Sequence, residues 1–274
     1  MTIEVQVLGS LQASACGMSV VPSAPKQRQI LALLALNLGK MVPAHILVEE
    51  IWRQHEPKDP VANVQTYILQ LRRKLKAVLA LHGADSSKDI LTTVPGGYIL
   101  NTPRGNIDAG RYEGLVTTGH RAIYQGDQAT AARTLAEALN VWRGKALIDV
   151  EIGPHLQIER TRLEESRLCT LDLRIDADLR LGRHRLLLDE LSALCARHPW
   201  FENFHAQYML ALHRSGLRCR ALEVYRRLHN TIGKHLGVDP SRHLQQLHLA
   251  MLTNDPVVDE PGFVISDFMT QQSA

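Results

Sequence analysis

Asp59–Lys76 reads DPVANVQTYILQLRRKLK, and its spacing is that of a helix. Asp59 suits the capping position and Pro60 the first turn, where a proline loses only an N–H that would have had no intrahelical partner. Val64, Ile68, Leu71, Leu75 and Val78 follow at alternating intervals of four and three, which aligns them along one stripe facing a core. Thr66, Gln70 and Arg73 project from the opposite side, with Gln65 and Arg72 on one flank and Tyr67 and Lys74 on the other. An amide or a guanidinium can bond two groove atoms of a base pair at once, and Lys or Arg neutralises phosphate, so this face has the chemistry to read DNA. Runs such as Leu71-Arg72-Arg73-Lys74-Leu75 are also common on solvated helix faces. The neighbouring segments decide between the two readings.

Upstream, Lys26–Gly39 (KQRQILALLALNLG) is a second helical pattern ending on a glycine suited to stop it, and Ile46–Trp52 (ILVEEIW) is a short amphipathic one. The polar run from Arg53-Gln54-His55 to Asp59 then leads into Pro60. Helix, short helix, turn and basic helix are the parts of a helix-turn-helix. Downstream, Ile90–Leu100 (ILTTVPGGYIL) reads as two β-rich runs around Pro95-Gly96-Gly97, a hairpin placed as a wing that would lay Tyr98 or backbone amides beside the groove. Ile3–Ala13 alternates as a strand, and Met18–Pro22 is its expected partner.

From Asp108 onward the pattern is almost wholly helical, and it repeats. Gly182 and Gly216 lie 34 residues apart, the period of a tetratricopeptide helix pair. Ala177 matches Ala211, Leu188 matches Leu222, Leu191 matches Tyr225, and Leu194 matches Leu228. An earlier copy surrounds Gly126, with Ala132, Leu135 and Ala138 at the corresponding offsets, and Arg143–Ile158 is an inserted connection. Small and apolar residues recur because paired helices must approach closely and stack on the next pair.

Composition fits this organisation. The 274 residues carry a formal charge of only +3, but residues 25–80 hold nine Lys/Arg against four Asp/Glu, whereas residues 110–274 hold 20 of each. A basic patch confined to one segment is the electrostatic footprint of a protein that meets a polyphosphate there and something else elsewhere. No secretory signal or membrane span is expected, which places the chain in the cytoplasm. Cys16, Cys169, Cys195 and Cys219 form no C-x-x-C pair, and the seven histidines between His198 and His248 show no ligand spacing, so neither a disulfide framework nor a metal or other cofactor is expected. Enzymatic readings lack their signatures: no phosphate-binding G-x-x-x-x-G-K-[ST] loop, no G-x-S-x-G elbow, no kinase or dinucleotide fingerprint. There is no room for a phosphoacceptor receiver before residue 25, so control by aspartyl phosphorylation is not expected.

Lys26-Gln27-Arg28, Val64-Gln65-Thr66-Tyr67, Leu71-Arg72-Arg73 and Gly96-Gly97-Tyr98 together resemble the OmpR-type winged helix of the Streptomyces antibiotic regulatory proteins. Trp142-Arg143-Gly144 with Ala146-Leu147, then Glu159–Leu168 and Arg174–His184, resemble that family's bacterial transcriptional activation domain. The resemblance runs in the family's order to about Leu252, and the QTYILQLRR run looks closest to the small members that activate aromatic polyketide antibiotic clusters. The Arg53-Gln54-His55 turn departs from the pattern, since members commonly carry a glycine there. The resemblance implies a homodimer on promoter DNA, bound to direct repeats near the −35 region, that contacts RNA polymerase holoenzyme.

The expected fold is therefore mainly α with a small β component: a winged helix-turn-helix over residues 1–104, a tetratricopeptide-like helical domain over 108–252, and a disordered tail over 255–274. The expected function is a sequence-specific transcriptional activator and not an enzyme, with Thr66, Gln70 and Arg73 reading bases, Lys26, Arg28, Arg72 and Lys74 holding phosphates, and Gly97 and Tyr98 placing the wing. A repressor of the same architecture and a tetratricopeptide-type protein-binding scaffold are the alternatives.

Overall fold

The computed structural model describes residues 2–52, 56–81, 87–260 and 262–263, so the Arg53-Gln54-His55 turn lies outside the described residues. The contacts divide the chain into two compact units, Met1–Thr117 with Glu137–Leu168, and Thr118–Ala136 with Cys169–Ala274.

The first unit opens with β1 (Ile3–Gln6), β2 (Gln12–Ala15) and β3 (Met18–Ser19) in one antiparallel sheet. The single strand expected over residues 3–13 is thus two strands, split between Val7 and Leu11. Cys16 and Gly17 form the two-residue loop between β2 and β3, both at positive φ (50° and 76°). That geometry matches the right-handed twist of the flanking strands, and it sets which face Ala13 and Ala15 bury.

Next come α1 (Pro25–Leu36), β4 (Val42–Pro43), α2 (Ala44–Ile51), α3 (Pro60–Ala80), the single turn α4 (Ser87–Ile90), and the hairpin β5 (Leu91–Val94) and β6 (Gly97–Leu100). β6 lies between β4 and β5 in an antiparallel sheet. Ile30, Leu33 and Leu34 of α1, Leu47 of α2, and the inner stripe of α3 meet Leu91 and Leu100 in one apolar core. Each such side chain withdrawn from water contributes about 1.5–3 kcal/mol.

This unit takes in more than the wing and the three helices. α5 (Asp108–Tyr124), α6 (Gln128–Asn140) and α7 (Pro154–Arg180) contribute residues to both units, and the connection between α6 and α7 packs entirely in the first. The Asp108 carboxylate accepts from the N–H groups of Val7 (2.8 Å), Leu8 (2.9 Å) and Ala109 (2.8 Å). Burial pushes this carboxyl above the usual range, while the three N–H groups and the Arg143 guanidinium pull it back. The same stretch of chain is held from the other side, where Arg143 N–H donates to Leu8 O (2.8 Å) and Leu147 N–H to Val7 O (3.0 Å). Tyr112, fully buried, meets Trp142 edge-on at 5.5 Å, and Arg167 lies over the Trp142 ring.

In the second unit, α8 (Leu188–Arg197), α9 (Glu202–Arg214), α10 (Arg218–Leu236) and α11 (Arg242–Thr253) follow the C-terminal part of α7. Gly126, Gly182 and Gly216, the residues that mark the repeat, all sit just past a helix end at positive φ (77°, 73° and 81°). Each closes the same pair of bonds. The glycine N–H reaches Ile123, Leu179 or His213 O, and the next N–H reaches Ala122, Asp178 or Leu212 O. The repeat is therefore a helix-stop signal as much as a packing signal. At Gly216 an added Cβ would meet nothing within 4 Å, so Gly216→Ala isolates the backbone term. It is expected to lower the unfolding free energy by about 1–2 kcal/mol in denaturant titration, and an unchanged midpoint would contradict the left-handed assignment.

The tail departs from expectation. Residues 255–260 and 262–263 are ordered: Pro256–Asp259 forms a 3-10 turn, Val258 and Phe263 are buried, and Arg214 donates to Val258 O (2.9 Å) and Phe263 O (2.8 Å). One arginine side chain thus satisfies several carbonyls of a segment whose acidic composition alone reads as unstructured. Residues 264–274 lie outside the described residues. Among the described residues no helix is long and apolar enough to cross a membrane.

Candidate nucleic-acid interface

α3 begins abruptly because the Asp59 carboxylate accepts from Ala62 N–H at 2.9 Å and Pro60 occupies the first turn. Val64, Ile68, Leu71, Leu75 and Leu79 are buried, and Val78 is only half-buried, so the inner stripe ends one residue later than its spacing predicts. The outer face carries Gln65, Thr66, Leu69, Gln70 and Arg73, all exposed. Arg73 makes no hydrogen bond or ion pair among the described residues. Thr66 Oγ1 donates back to Ala62 O at 2.9 Å, which leaves its oxygen as an acceptor toward solvent. Gln70 accepts from the Gln27 amide of α1, which orients its own amide plane.

The four expected phosphate-binding cations are placed differently. Arg72 is half-buried, and its guanidinium donates to Leu91 O and to Thr93 Oγ1 of β5, both at 2.8 Å. Desolvation there lowers its pKa from the ordinary arginine value, with the Tyr98 phenol acting in the opposite sense. Lys74 donates to Val21 O, and Arg28 pairs with Asp149 of the connection before α7. Lys26 lies 4.5 Å from the centroid of the Trp52 ring, which in turn stacks on Tyr67 of α3. Arg72, Lys74 and, through Trp52, Lys26 brace α3 against its surroundings, whereas Arg28 ties α1 to the connection before α7. Arg73, Gln70 and Thr66 remain together on the open face.

The wing is built by two glycines with different duties. Gly96 takes φ +84° in the turn, and its carbonyl accepts from Ala44 N–H at 2.9 Å. Gly97 has ordinary strand geometry, but a Cβ there would lie 2.4 Å from Val42 O, so only glycine lets β4 pair with β6. Tyr98, expected beside the sugar-phosphate chain, is instead 6% exposed. Strand alternation turns its ring into the core, where burial holds the phenol above its usual pKa range and Arg72 opposes that rise. Thr93, directly opposite Tyr98 and so on the same face of the hairpin, is nevertheless exposed and accepts from Arg72.

Sequence reading also missed three positions. Leu69 is apolar but lies off the inner stripe, and that mismatch was visible in the spacing. Glu50 of α2 is 1% exposed, and its carboxylate accepts from Gly153, His155 and Leu156 N–H at 2.6, 2.9 and 3.0 Å, capping α7. Asp149 accepts from Leu11 N–H at 2.7 Å besides holding Arg28. For these two acids no local pattern announces a partner more than 100 residues away.

The order of the two modules is that of known transcriptional regulators. Residues 19–100 match the family profile "Transcriptional regulatory protein, C terminal", and residues 107–252 match "Bacterial transcriptional activator domain". The Streptomyces peucetius regulatory protein DnrI is 45% identical over 260 residues, 95% of this chain and 96% of DnrI. The Streptomyces coelicolor regulatory protein AfsR is 35% identical over 93% of this chain, which spans only 24% of AfsR. Among solved structures, Mycobacterium tuberculosis EmbR in complex with a low affinity phosphopeptide superposes with a TM-score of 0.88 at 29% identity, covering 99% of this chain and 71% of that one. With an OmpR-type winged helix followed by the activator domain, and with DnrI alike along nearly its full length, the chain belongs to the Streptomyces antibiotic regulatory protein family of DNA-binding transcriptional activators.

Proposed function

We propose that this chain is the pathway-specific activator of a secondary-metabolite cluster, one that binds direct repeats near the −35 region of its promoters and recruits RNA polymerase. The observation that carries the reading is the open face of α3, where Thr66, Gln70 and Arg73 stand together on a helix whose other side is locked into a core. In this reading residues 1–104 form the DNA-binding module and residues 108–252 the activation domain. α3 enters the major groove, the amide of Gln70 and the guanidinium of Arg73 read base edges, and Thr66 offers an acceptor. Arg72, Lys74, Lys26 and Arg28 neutralise phosphates. To do so Arg28 exchanges Asp149 for a phosphate, whereas Arg72 keeps the wing strand while facing the backbone. Gly97 sets the hairpin close to β4, so that backbone N–H groups of the wing reach the sugar-phosphate chain.

Direct repeats place two protomers head to tail along one face of the duplex, about one helical turn apart. Recruitment is then a matter of added contact surface, with no bond made or broken by the protein. Support for an antibiotic cluster as the target comes from the 45% identity with DnrI over nearly both whole chains.

Selection of sites from a random duplex library, at near-physiological salt to suppress phosphate-only binding, tests the reading. The expected product is a short motif repeated in one orientation. Run-off transcription from a promoter carrying that motif should rise when the protein is added. A fall in transcript would make the protein a repressor, and selection of no motif would remove base reading by α3.

A further inference from the structure

One residue at the centre of the α3 face is chemically unlike its neighbours. Leu69 is 47% exposed, yet it sits on the outer side of a helix whose apolar requirement is already met by Val64, Ile68, Leu71, Leu75 and Leu79. Its neighbours at the helical spacings of three and four are Gln65, Thr66, Arg72 and Arg73, so it belongs to no exposed apolar patch on its own helix. A leucine exposed to this extent leaves apolar surface in water when the protein is free of DNA. It lies between Thr66, one turn before it, and Arg73, one turn after it, on the exposed face toward the flank of Gln65 and Arg72.

A helix lying in the major groove presents the middle of its outer face to the floor of the groove. There the only methyl on any base edge is that of thymine; apart from the small C5–H of cytosine, every other feature is a hydrogen-bond donor or acceptor. Leucine can form no hydrogen bond, so it discriminates in one way only. It favours a methyl and disfavours a polar edge that it would strip of water without pairing. Resting on the base-reading role of α3, we infer that Leu69 is a specificity-determining residue that reads a thymine methyl, beside the base read by Arg73 one turn along the helix. The preference it imposes is for T at one position in each half-site, and it is independent of the charge-assisted contacts around it.

The experiment uses the full-length chain and the operator recovered by site selection, with each thymine replaced singly by deoxyuridine. That change deletes one methyl and leaves base pairing intact. The wild-type protein is expected to lose about fourfold in affinity at one thymine of the half-site, the effect of removing one buried carbon, and little at the others. Leu69→Ala should bind the thymine operator more weakly and show no difference between thymine and deoxyuridine at that position, whereas Leu69→Met should retain the difference. Because Leu69 is outside the core, the thermal midpoint of both variants should equal that of the wild type. If Leu69→Ala keeps the fourfold ratio, or if no thymine methyl affects wild-type binding, the inference is overturned while base reading by α3 stands. If no operator is selected at all, base reading itself falls, and the assignment of Leu69 with it.

Discussion

Glu50→Ala is expected to lower the unfolding free energy by about 3–6 kcal/mol, because it leaves three N–H groups at the start of α7, two buried and one partly buried, without an acceptor. α7 runs for 27 residues and starts behind Gly153, which has no side chain to cap it. A Cβ at position 153 would lie 2.2 Å from Glu50 O, so the glycine is required by the close approach of α2, and the cap must come from elsewhere. Glu50 supplies it with both oxygens, and its charge also complements the positive end of the helix dipole. The measurement is denaturant unfolding of the two proteins side by side. Glu50→Gln should fall between them, because one oxygen can still serve His155 and Leu156 while the amide faces Gly153 N–H. A loss in Glu50→Ala of less than about 1 kcal/mol, below the cost of even one orphaned buried donor, would mean that water replaces the carboxylate and that the joint is not buried in solution.

The double variant Gln70→Ala/Arg73→Ala should abolish operator preference while leaving the fold intact. Each base contact is worth about 1–3 kcal/mol of discrimination, so losing both removes roughly 30-fold to 10⁴-fold of specificity. Both residues are exposed and outside the core, so the thermal midpoint should not move. Binding to random duplex should change far less than binding to the operator, because Lys26, Arg28, Arg72 and Lys74 are still present to meet phosphate. Titrations of operator and random DNA at two salt concentrations separate these effects. Undiminished discrimination in the double variant would exclude α3 as the reading helix and favour a scaffold whose helical repeats do the work. Arg72→Ala is a useful contrast. Its guanidinium ties α3 to β5, so it should lose stability and both kinds of binding together.

The two variants probe features that were unequally legible. α3, its cap at Asp59 and its division into an inner stripe and an outer face could be read from spacing, since a helix relates only residues three or four apart. The stop glycines at 126, 182 and 216 were legible for the same reason, as markers of helix ends that need a left-handed residue. The wing's position was legible and its orientation was not. Tyr98 followed strand alternation into the core, and which face of a small sheet is buried depends on what packs against it. β1 and β2 were read as one strand because the bend between them is held by Asp108 and Arg143, both distant in the chain.

By itself the sequence determined the order of the elements, the helix proposed to read bases and the residues on its open face, because each of those depends on local periodicity and capping. Only the tertiary structure decided which of the basic residues are already engaged, as Arg28 is with Asp149 and Arg72 with the wing, and how α7 is capped by Glu50 of α2. Those outcomes rest on pairs separated by about 20 to more than 100 residues. A buried carboxylate or guanidinium takes whatever partner the folded chain brings within about 3 Å, and nothing in the residues beside it marks which one that will be.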